Sequence, residues 1–407
     1  MEKIVKQLPN GIKLVYDYFP GIKSFVLSIT SLAGSRQDFE GKDGLAHFVE
    51  HILFRRNRDF TNSQLAREFE KTGTIYNAFT EQELTCFYLK GLNEKFEEVF
   101  NLISKFFTCP VFDKKDFEKE RKIILEEIRS YEDDPEEYIL DVGNELIFPN
   151  HPLGRHITGT EESLMRITIE DIQHYFYDYY APNNLLVAFV GNIPFNQFEE
   201  IVNKKLEELK PHPIKIQIND IPQNTIPLMD IARDLEQSHF LYQMRIDNLS
   251  ESELPMLKLF SYYLSESPSS LIYNSLREKS GLVYNVFTNV EQFSDTNVLQ
   301  LYYATQKSNY DKAQSLLNEI FDKIKAGKLN KSLFQLSKGS LKAQHIYRLE
   351  IPYEIMMNNI RTEYLNGKYL YNNFIEEISS TKFDKFKEFT SNLLNNNKWS
   401  VVRLLQT

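Results

Sequence analysis

The sequence predicts an α+β protein of two homologous domains. Each is expected to be a largely antiparallel sheet with helices packed on one face, and a Pro-containing linker is expected to join them. Three observations carry this. At 407 residues the chain is too long for one ordinary core. An eleven-residue passage recurs: Glu70-Lys71-Thr72-Gly73-Thr74-Ile75-Tyr76-Asn77-Ala78-Phe79-Thr80 matches Glu278-Lys279-Ser280-Gly281-Leu282-Val283-Tyr284-Asn285-Val286-Phe287-Thr288, identical at seven positions without a gap. The copies lie 208 residues apart, about half the chain, and each ends a helix, turns at Gly and begins a strand. Coincidence between two such junctions would explain the shared Gly, but not the shared Tyr-Asn-x-Phe-Thr. Finally, Pro211, Pro213, Pro222 and Pro227 mark an extended, semi-rigid stretch between the copies. The expected division is a first domain over 1–212, a linker over 213–230 and a second domain over 231–407.

The elements follow in order. Asn10-Gly11 reads as a turn between two short strands. Ile12–Tyr18 and Ser24–Ser31 alternate enough to be strands. Gly44 to Phe54 has apolar residues at helical spacing and no interrupting Gly or Pro after Gly44. Thr61–Lys71 is a second helix with Thr61 as its N-cap. Gly73 ends it, and Ile75–Phe79 and Leu84–Leu89 are strands. Phe96–Phe107 and Lys114–Tyr131 are amphipathic helices, and Ser163–Tyr177 is expected to be helical. Leu185–Val190 is an apolar strand, and Phe195–Leu209 closes this half as a helix. After the linker the pattern restarts with a strand near His239–Ile246 and helices over Glu253–Ser265 and Ser270–Lys279.

Composition narrows the function classes. The chain is 42% hydrophobic and 26% charged, as a globular protein is. A net charge of −10 argues against a nucleic-acid partner, which selects a basic face. Two cysteines, Cys86 and Cys109, imply no disulfide framework. Met1 to Tyr18 lacks the apolar run of a signal peptide, and no stretch approaches the roughly 20 apolar residues of a membrane span. No membrane partner and a cytoplasmic location are therefore expected.

The chemistry concentrates in Gly44-Leu45-Ala46-His47-Phe48-Val49-Glu50-His51. His47 and His51 are four apart and project from one helical face, where two imidazoles can hold one zinc ion. Glu50 can reach the edge of the same site. A lone histidine on such a face is usually a satisfied core residue. Two of them beside a carboxylate would strand polar groups if buried without a ligand. The motif H-x-x-E-H is an inverted zinc-peptidase signature. A catalytic zinc takes a third protein ligand. Candidates lie in Glu118–Ile128, where Glu120 and Glu127 share one helical face and Glu126 points away. A solvated acidic face is the alternative, yet Ile123 and Ile124 are expected to bring this helix against the core.

His47-x-x-Glu50-His51, followed 76 positions later by Glu127 within Glu120-Arg121-x-Ile-Ile-x-x-Glu127, resembles the pitrilysin/insulinase family of zinc peptidases. By length it is similar to the mitochondrial processing peptidase branch and its bacterial relatives. Asn77-Ala78-x-Thr80, His151-Pro152-Leu153-Gly154-Arg155 with Gly159-Thr160-Glu161, and the pair Arg277 and Tyr284 extend the resemblance over essentially the whole chain. The resemblance implies one Zn2+ per chain held by His47, His51 and Glu127. It implies Glu50 as general base, Glu120 as the carboxylate holding a ligand histidine, and Asn77 and Ala78 beside an extended peptide substrate. It implies Arg277 and Tyr284 acting on the scissile carbonyl from the second domain. Members with four such domains suggest that this chain, with two, forms a homodimer or pairs with a sister subunit. The sequence departs from the family in its run Arg55-Arg56-Asn57-Arg58-Asp59, where many relatives have Lys-Gly-Thr, and in lacking an evident glycine-rich loop. These departures bear on presequence-type specificity. The expected activity is zinc-dependent hydrolysis of internal bonds in flexible peptides or leader sequences. The alternatives are a non-catalytic subunit and an enzyme dedicated to one precursor.

Overall fold

A computed structural model of the chain describes residues 2–222, 227–365 and 371–407. Residues 223–226 of the expected linker and 366–370 of the expected second domain lie outside the described residues. The chain forms strands β1 (Glu2–Gln7), β2 (Lys13–Tyr18) and β3 (Ser24–Ser31), then helices α1 (Leu45–Leu53) and α2 (Asn62–Lys71). Strands β4 (Ile75–Thr80) and β5 (Thr85–Leu92) follow, then helices α3 (Phe96–Thr108), α4 (Lys114–Asp133), α5 (Pro135–Ile147), α6 (Glu161–Arg166) and α7 (Ile169–Tyr179). Strand β6 (Leu185–Gly191) and helix α8 (Phe195–Leu206) come next. Then come strands β7 (Leu228–Arg233) and β8 (Ser238–Ile246), helix α9 (Leu254–Ser265), a π-helical turn (Tyr273–Lys279), and strands β9 (Val283–Gln292) and β10 (Asn297–Thr305). Helices α10 (Tyr310–Lys325), α11 (Lys331–Arg348), α12 (Pro352–Tyr364), α13 (Tyr371–Ser380) and α14 (Phe383–Asn396) lead to the final strand β11 (Ser400–Gln406).

Most of these elements sit where the sequence puts them, and the exceptions have local causes. Thr61 does cap α2, with Gln64 Oε1 accepting from the Thr61 N–H at 2.9 Å. The helix expected over 163–177 is two helices, because Ile167 is extended and the Asp171 N–H bonds Thr168 Oγ1 at 3.2 Å, starting α7 afresh. Residues 228–230, expected in the linker, already belong to β7. Helix α5 was not foreseen.

Two compact units result, and each is assembled from separate parts of the chain. The first comprises Met1–Ser130, His151–Asp220 and Leu349–Tyr364. Its six-stranded sheet has the order β1-β2-β6-β3-β5-β4, antiparallel except for the parallel pair β2 and β6. One face carries a core of Tyr16, Leu27, Ile29, Phe87 and Phe189 under the helices, including Phe48, Val49 and Ile52 of α1. The opposite face is covered by α12, which seats Ile355, Met356, Met357 and Ile360 on Val15, Val26, Leu186, Ala188 and Val190. This is why Leu185–Val190 is apolar throughout: β6 is buried on both faces.

The second unit comprises Tyr131–Asn150, Ile221–Arg348 and Leu365–Thr407. Its sheet order, β7-β11-β8-β10-β9, repeats that of β2, β6, β3, β5 and β4, with the parallel pair β7 and β11 in the corresponding place. Here α5 covers one face, packing Ile139 and Val142 on Leu241, Tyr302, Val402 and Leu404. The two units are therefore homologous folds. Each has one helix on the face opposite its helical layer, and that helix comes from the middle of the other unit's sequence.

Candidate metal centre

Helix α1 begins without a side-chain cap of its own, since its N-cap is Gly44 in the left-handed region at φ +93°. Asp38, buried six residues upstream, replaces it. Its Oδ2 accepts from Gly44 N at 2.7 Å and its Oδ1 from Ala46 N at 2.8 Å. The loop after α5 closes on the same turn. Ser163 Oγ donates to Asp43 O at 2.8 Å, and Arg155 pairs with the Asp43 carboxylate at 3.3 Å. The backbones approach so closely that a Cβ on Gly44 would lie 2.5 Å from Thr158 O. At the other end of the helix pair, Phe48 of α1 stacks on Phe117 of α4 with centroids 4.8 Å apart, and Ile124 is buried beneath. Ile123, expected against the core with Ile124, is instead 42% exposed, because the helical repeat turns it outward. Glu126 also faces out, paired with Arg129 at 2.7 Å.

This packing brings α4's carboxylates to α1's histidines. His47 and Glu50 are each only 8% exposed. Glu127 Oε2 lies 3.6 Å from His51 Nε2, and Glu127 Oε1 lies 3.9 Å from His47 Nε2. The donor atoms of His47, His51 and Glu127 all fall within 4.8 Å of one another. A tetrahedral ion bound at about 2.1 Å would separate its donors by roughly 3.4 Å, so the cluster needs little contraction to hold one. Glu120 sits behind. Its Oε2 meets His51 Nδ1 at 3.0 Å, and its Oε1 pairs with Arg55 at 3.0 Å. A carboxylate on Nδ1 favours a proton there, which leaves Nε2, on the Glu127 side, as the atom a metal would take.

The electrostatics differ across the cluster. Burial, with His51 close by, drives His47 down to about 3, so it is a neutral donor. Burial also lowers His51, but the bond to Glu120 and the charges of Glu50 and Glu127 outweigh it and raise its pKa. Burial raises Glu50, partly offset by a hydroxyl from β4. The neutral His47, a His51 that must give up its proton to bind, and a carboxylate oxygen form a donor set that suits zinc, and a buried carboxylate beside them with raised proton affinity suits a general base.

The remaining expected residues fall in two places. Asn77 and Ala78 lie on β4, the edge strand of the sheet, whose outer side pairs with no strand among the described residues. Asn77 is exposed, and its Oδ1 accepts from Ala78 N at 2.9 Å. Arg277 and Tyr284 lie in the second unit, on the π-helical turn and at the start of β9. The Arg277 guanidinium lies 5.3 Å from the Tyr284 ring centroid and 5.0 Å from that of Tyr273, and Tyr284 is 73% exposed. Sequence reading gave no part to Asp38, Phe117, Tyr273 or the Thr80 side chain. The missing cap before His47 is the signal that could have found Asp38.

Comparison with known proteins agrees with this architecture. The family model of insulinase (peptidase family M16) matches residues 22–161, and that of the peptidase M16 inactive domain matches residues 166–341. An uncharacterized zinc protease of Bacillus subtilis, YmxG, is 26% identical over 377 residues, covering 92% of each chain. An uncharacterized zinc protease of Mycobacterium leprae is 27% identical over 397 residues, covering 95% of this chain and 88% of that one. The fold matches that of a protease from Helicobacter pylori, with a TM-score of 0.89, 18% identity and 99% of each chain covered. It also matches a peptidase M16 inactive domain from Pseudomonas fluorescens, with a TM-score of 0.92, 17% identity and 100% of this chain and 99% of that one covered. With two matching family models in tandem and relatives aligned over nearly its full length, this chain belongs to the insulinase, or pitrilysin, family of peptidases.

Proposed function

We propose that the chain is a zinc metalloendopeptidase that hydrolyses internal bonds of flexible peptides or leader sequences. The observation that carries this is the convergence of His47, His51 and Glu127 within 4.8 Å, with the buried Glu50 on the same helix. Bound there, zinc would polarise the scissile carbonyl and acidify a water. Glu50 takes the proton of the attacking water and delivers it to the leaving amine. Glu120 holds His51 in the tautomer that presents Nε2. The substrate lies extended along the free edge of β4, beside Asn77 and Ala78, so that its backbone adds a strand. Arg277 and Tyr284 donate to the carbonyl oxygen as it gains charge. Extended binding selects unfolded chains, and the family's domain arithmetic favours a homodimer or a pairing with a sister subunit. A cytoplasmic location is part of this proposal. It accords with the finding that no helix among the described residues is long and apolar enough to cross a membrane.

The match of residues 166–341 to a domain described as inactive keeps a second reading in view, that of a non-catalytic subunit. Retention of all three ligand residues in the first unit speaks against it. The test is elemental analysis paired with hydrolysis of a mixed peptide pool before and after chelation. The expected result is about one zinc per chain and chelator-sensitive cleavage, lost in Glu50→Gln with zinc retained. No metal, and none taken up on adding zinc, would favour the non-catalytic subunit. Zinc with cleavage of a single precursor would favour a dedicated processing enzyme.

A further inference from the structure

The two oxygens of Glu50 have different surroundings. Oε2 accepts a hydrogen bond of 2.6 Å from Thr80 Oγ1, while Oε1 accepts none from the described residues. That length is at the short end of the range for a hydroxyl donating to an oxygen. Thr80 is well placed to hold such a bond. It is the last residue of β4 and pairs with Thr85 of β5, so its backbone is fixed by the sheet. Its β-branched side chain has little freedom at χ1. On the other side, Glu50 is anchored by α1, whose buried face packs into the core. The bond therefore ties the base to the last residue of the strand whose outer edge is proposed to receive the peptide.

We propose that Thr80 is a positioning residue for hydrolysis. Its hydroxyl holds Glu50 by Oε2, so that Oε1 is the atom that exchanges protons with the reactants. The step balances as follows. The water's O–H bond breaks, its proton passes to Oε1, and its oxygen bonds to the carbonyl carbon. The C–N bond then breaks, and the proton on Oε1 passes to the amine nitrogen. Thr80 keeps its own proton throughout. The inference rests on Glu50 being the general base.

Thr80→Val removes the hydroxyl and keeps the shape and the strand preference, while Thr80→Ser keeps the hydroxyl. The expected result in Thr80→Val is a kcat lower by about tenfold to a hundredfold, with KM and zinc content unchanged. Thr80→Ser should recover most of that loss. Crystal structures of the two variants answer without turnover: Glu50 keeps its place in Thr80→Ser and swings away in Thr80→Val. A normal kcat in Thr80→Val beside an inactive Glu50→Gln overturns this inference alone. So do equal losses in the two Thr80 variants, which would report packing, and an unmoved Glu50 in Thr80→Val. Full turnover in Glu50→Gln overturns the general-base reading and this inference with it.

Discussion

At the scale of single residues, the proposed centre should depend on Glu120 as well as on its three expected ligands. Glu120 bonds His51 Nδ1 at 3.0 Å while Arg55 holds its other oxygen at 3.0 Å. Removing its charge leaves the ligands in place but frees the tautomer and the ring orientation of His51. Glu120→Gln is expected to weaken zinc binding about tenfold to a hundredfold, read by competition with a chromogenic chelator. The pH dependence has a definite sign. A histidine binds metal only when deprotonated, and His51 has its pKa raised above 6.5. Zinc affinity should therefore fall as pH drops through that raised value. His47, pushed down to about 3, stays neutral over the same range and does not contribute. In Glu120→Gln the proton on His51 is held less tightly, so the fall should begin at lower pH. An unchanged onset would count against Glu120 as the source of the shift. The i, i+4 and i, i+7 spacings put His47 with His51 on one helical face and Glu120 with Glu127 on another, and the choice of Glu127 as the expected ligand came from the family resemblance. Glu120 was expected as the carboxylate behind a histidine through the resemblance, whereas the Thr80 hydroxyl on Glu50 was not, since that contact joins a strand end to a helix 30 residues away.

At the scale of elements, the histidine helix is held from its N-terminus by contacts that no helical pattern reveals. Asp38 caps it, and the loop carrying Gly159 presses against the turn before it. A Cβ on Gly159 would lie 2.2 Å from Asp43 O, and its φ is +76°. Gly159→Ala must strain the backbone or push the Asp43–Gly44 turn aside. A loss of about 1–3 kcal/mol in unfolding free energy is expected, together with weaker zinc binding, because the displaced turn leads directly into His47. Normal stability and normal affinity in Gly159→Ala would show that the loop does not support the helix. Asp38→Ala removes two acceptors of the first turn and should cost about 1–2 kcal/mol, measured by denaturant titration. The same reasoning explains which elements the sequence disclosed. Helices α1 to α4 carry an apolar stripe against their own unit's core, so periodicity found them. Helix α5 opens with Pro135, Glu136 and Glu137 and is interrupted by Gly143, which dilutes its pattern. That glycine is needed by the packing, since a Cβ there would lie 2.5 Å from both Leu241 Cδ2 and Gln243 Oε1 of the second unit's sheet. The register of a helix on a sheet more than ninety residues away cannot be read from local spacing.

At the scale of the whole molecule, the shared strand order makes the internal repeat a repeat of fold, and the exchange of helices makes the two copies mutually dependent. The sheet of the first unit is apolar on both faces. Helix α12, drawn from residues 352–364, covers one of them with Ile355, Met356, Met357 and Ile360. At about 1.5–3 kcal/mol for each buried side chain, those four contribute roughly 6–12 kcal/mol. That is comparable to the whole net stability of an ordinary domain, about 5–15 kcal/mol. A fragment of residues 1–220 contains every expected zinc ligand but lacks α12. It should therefore expose the row Val15, Val26, Leu186, Ala188 and Val190, bind a hydrophobic dye, and unfold without a sharp transition. Joining residues 349–364 to that fragment through a flexible linker should restore cooperative unfolding and, with it, zinc binding. Within the intact chain, Ile360→Ala should cost about 2–5 kcal/mol and should speed hydrogen exchange in β3 and β6 of the first unit, although Ile360 lies far along the sequence from both. Cooperative unfolding of the bare 1–220 fragment would mean that α12 is dispensable packing. Its failure, with rescue by 349–364, would mean that the chain acquires a competent metal centre only after the polypeptide has been completed through residue 364.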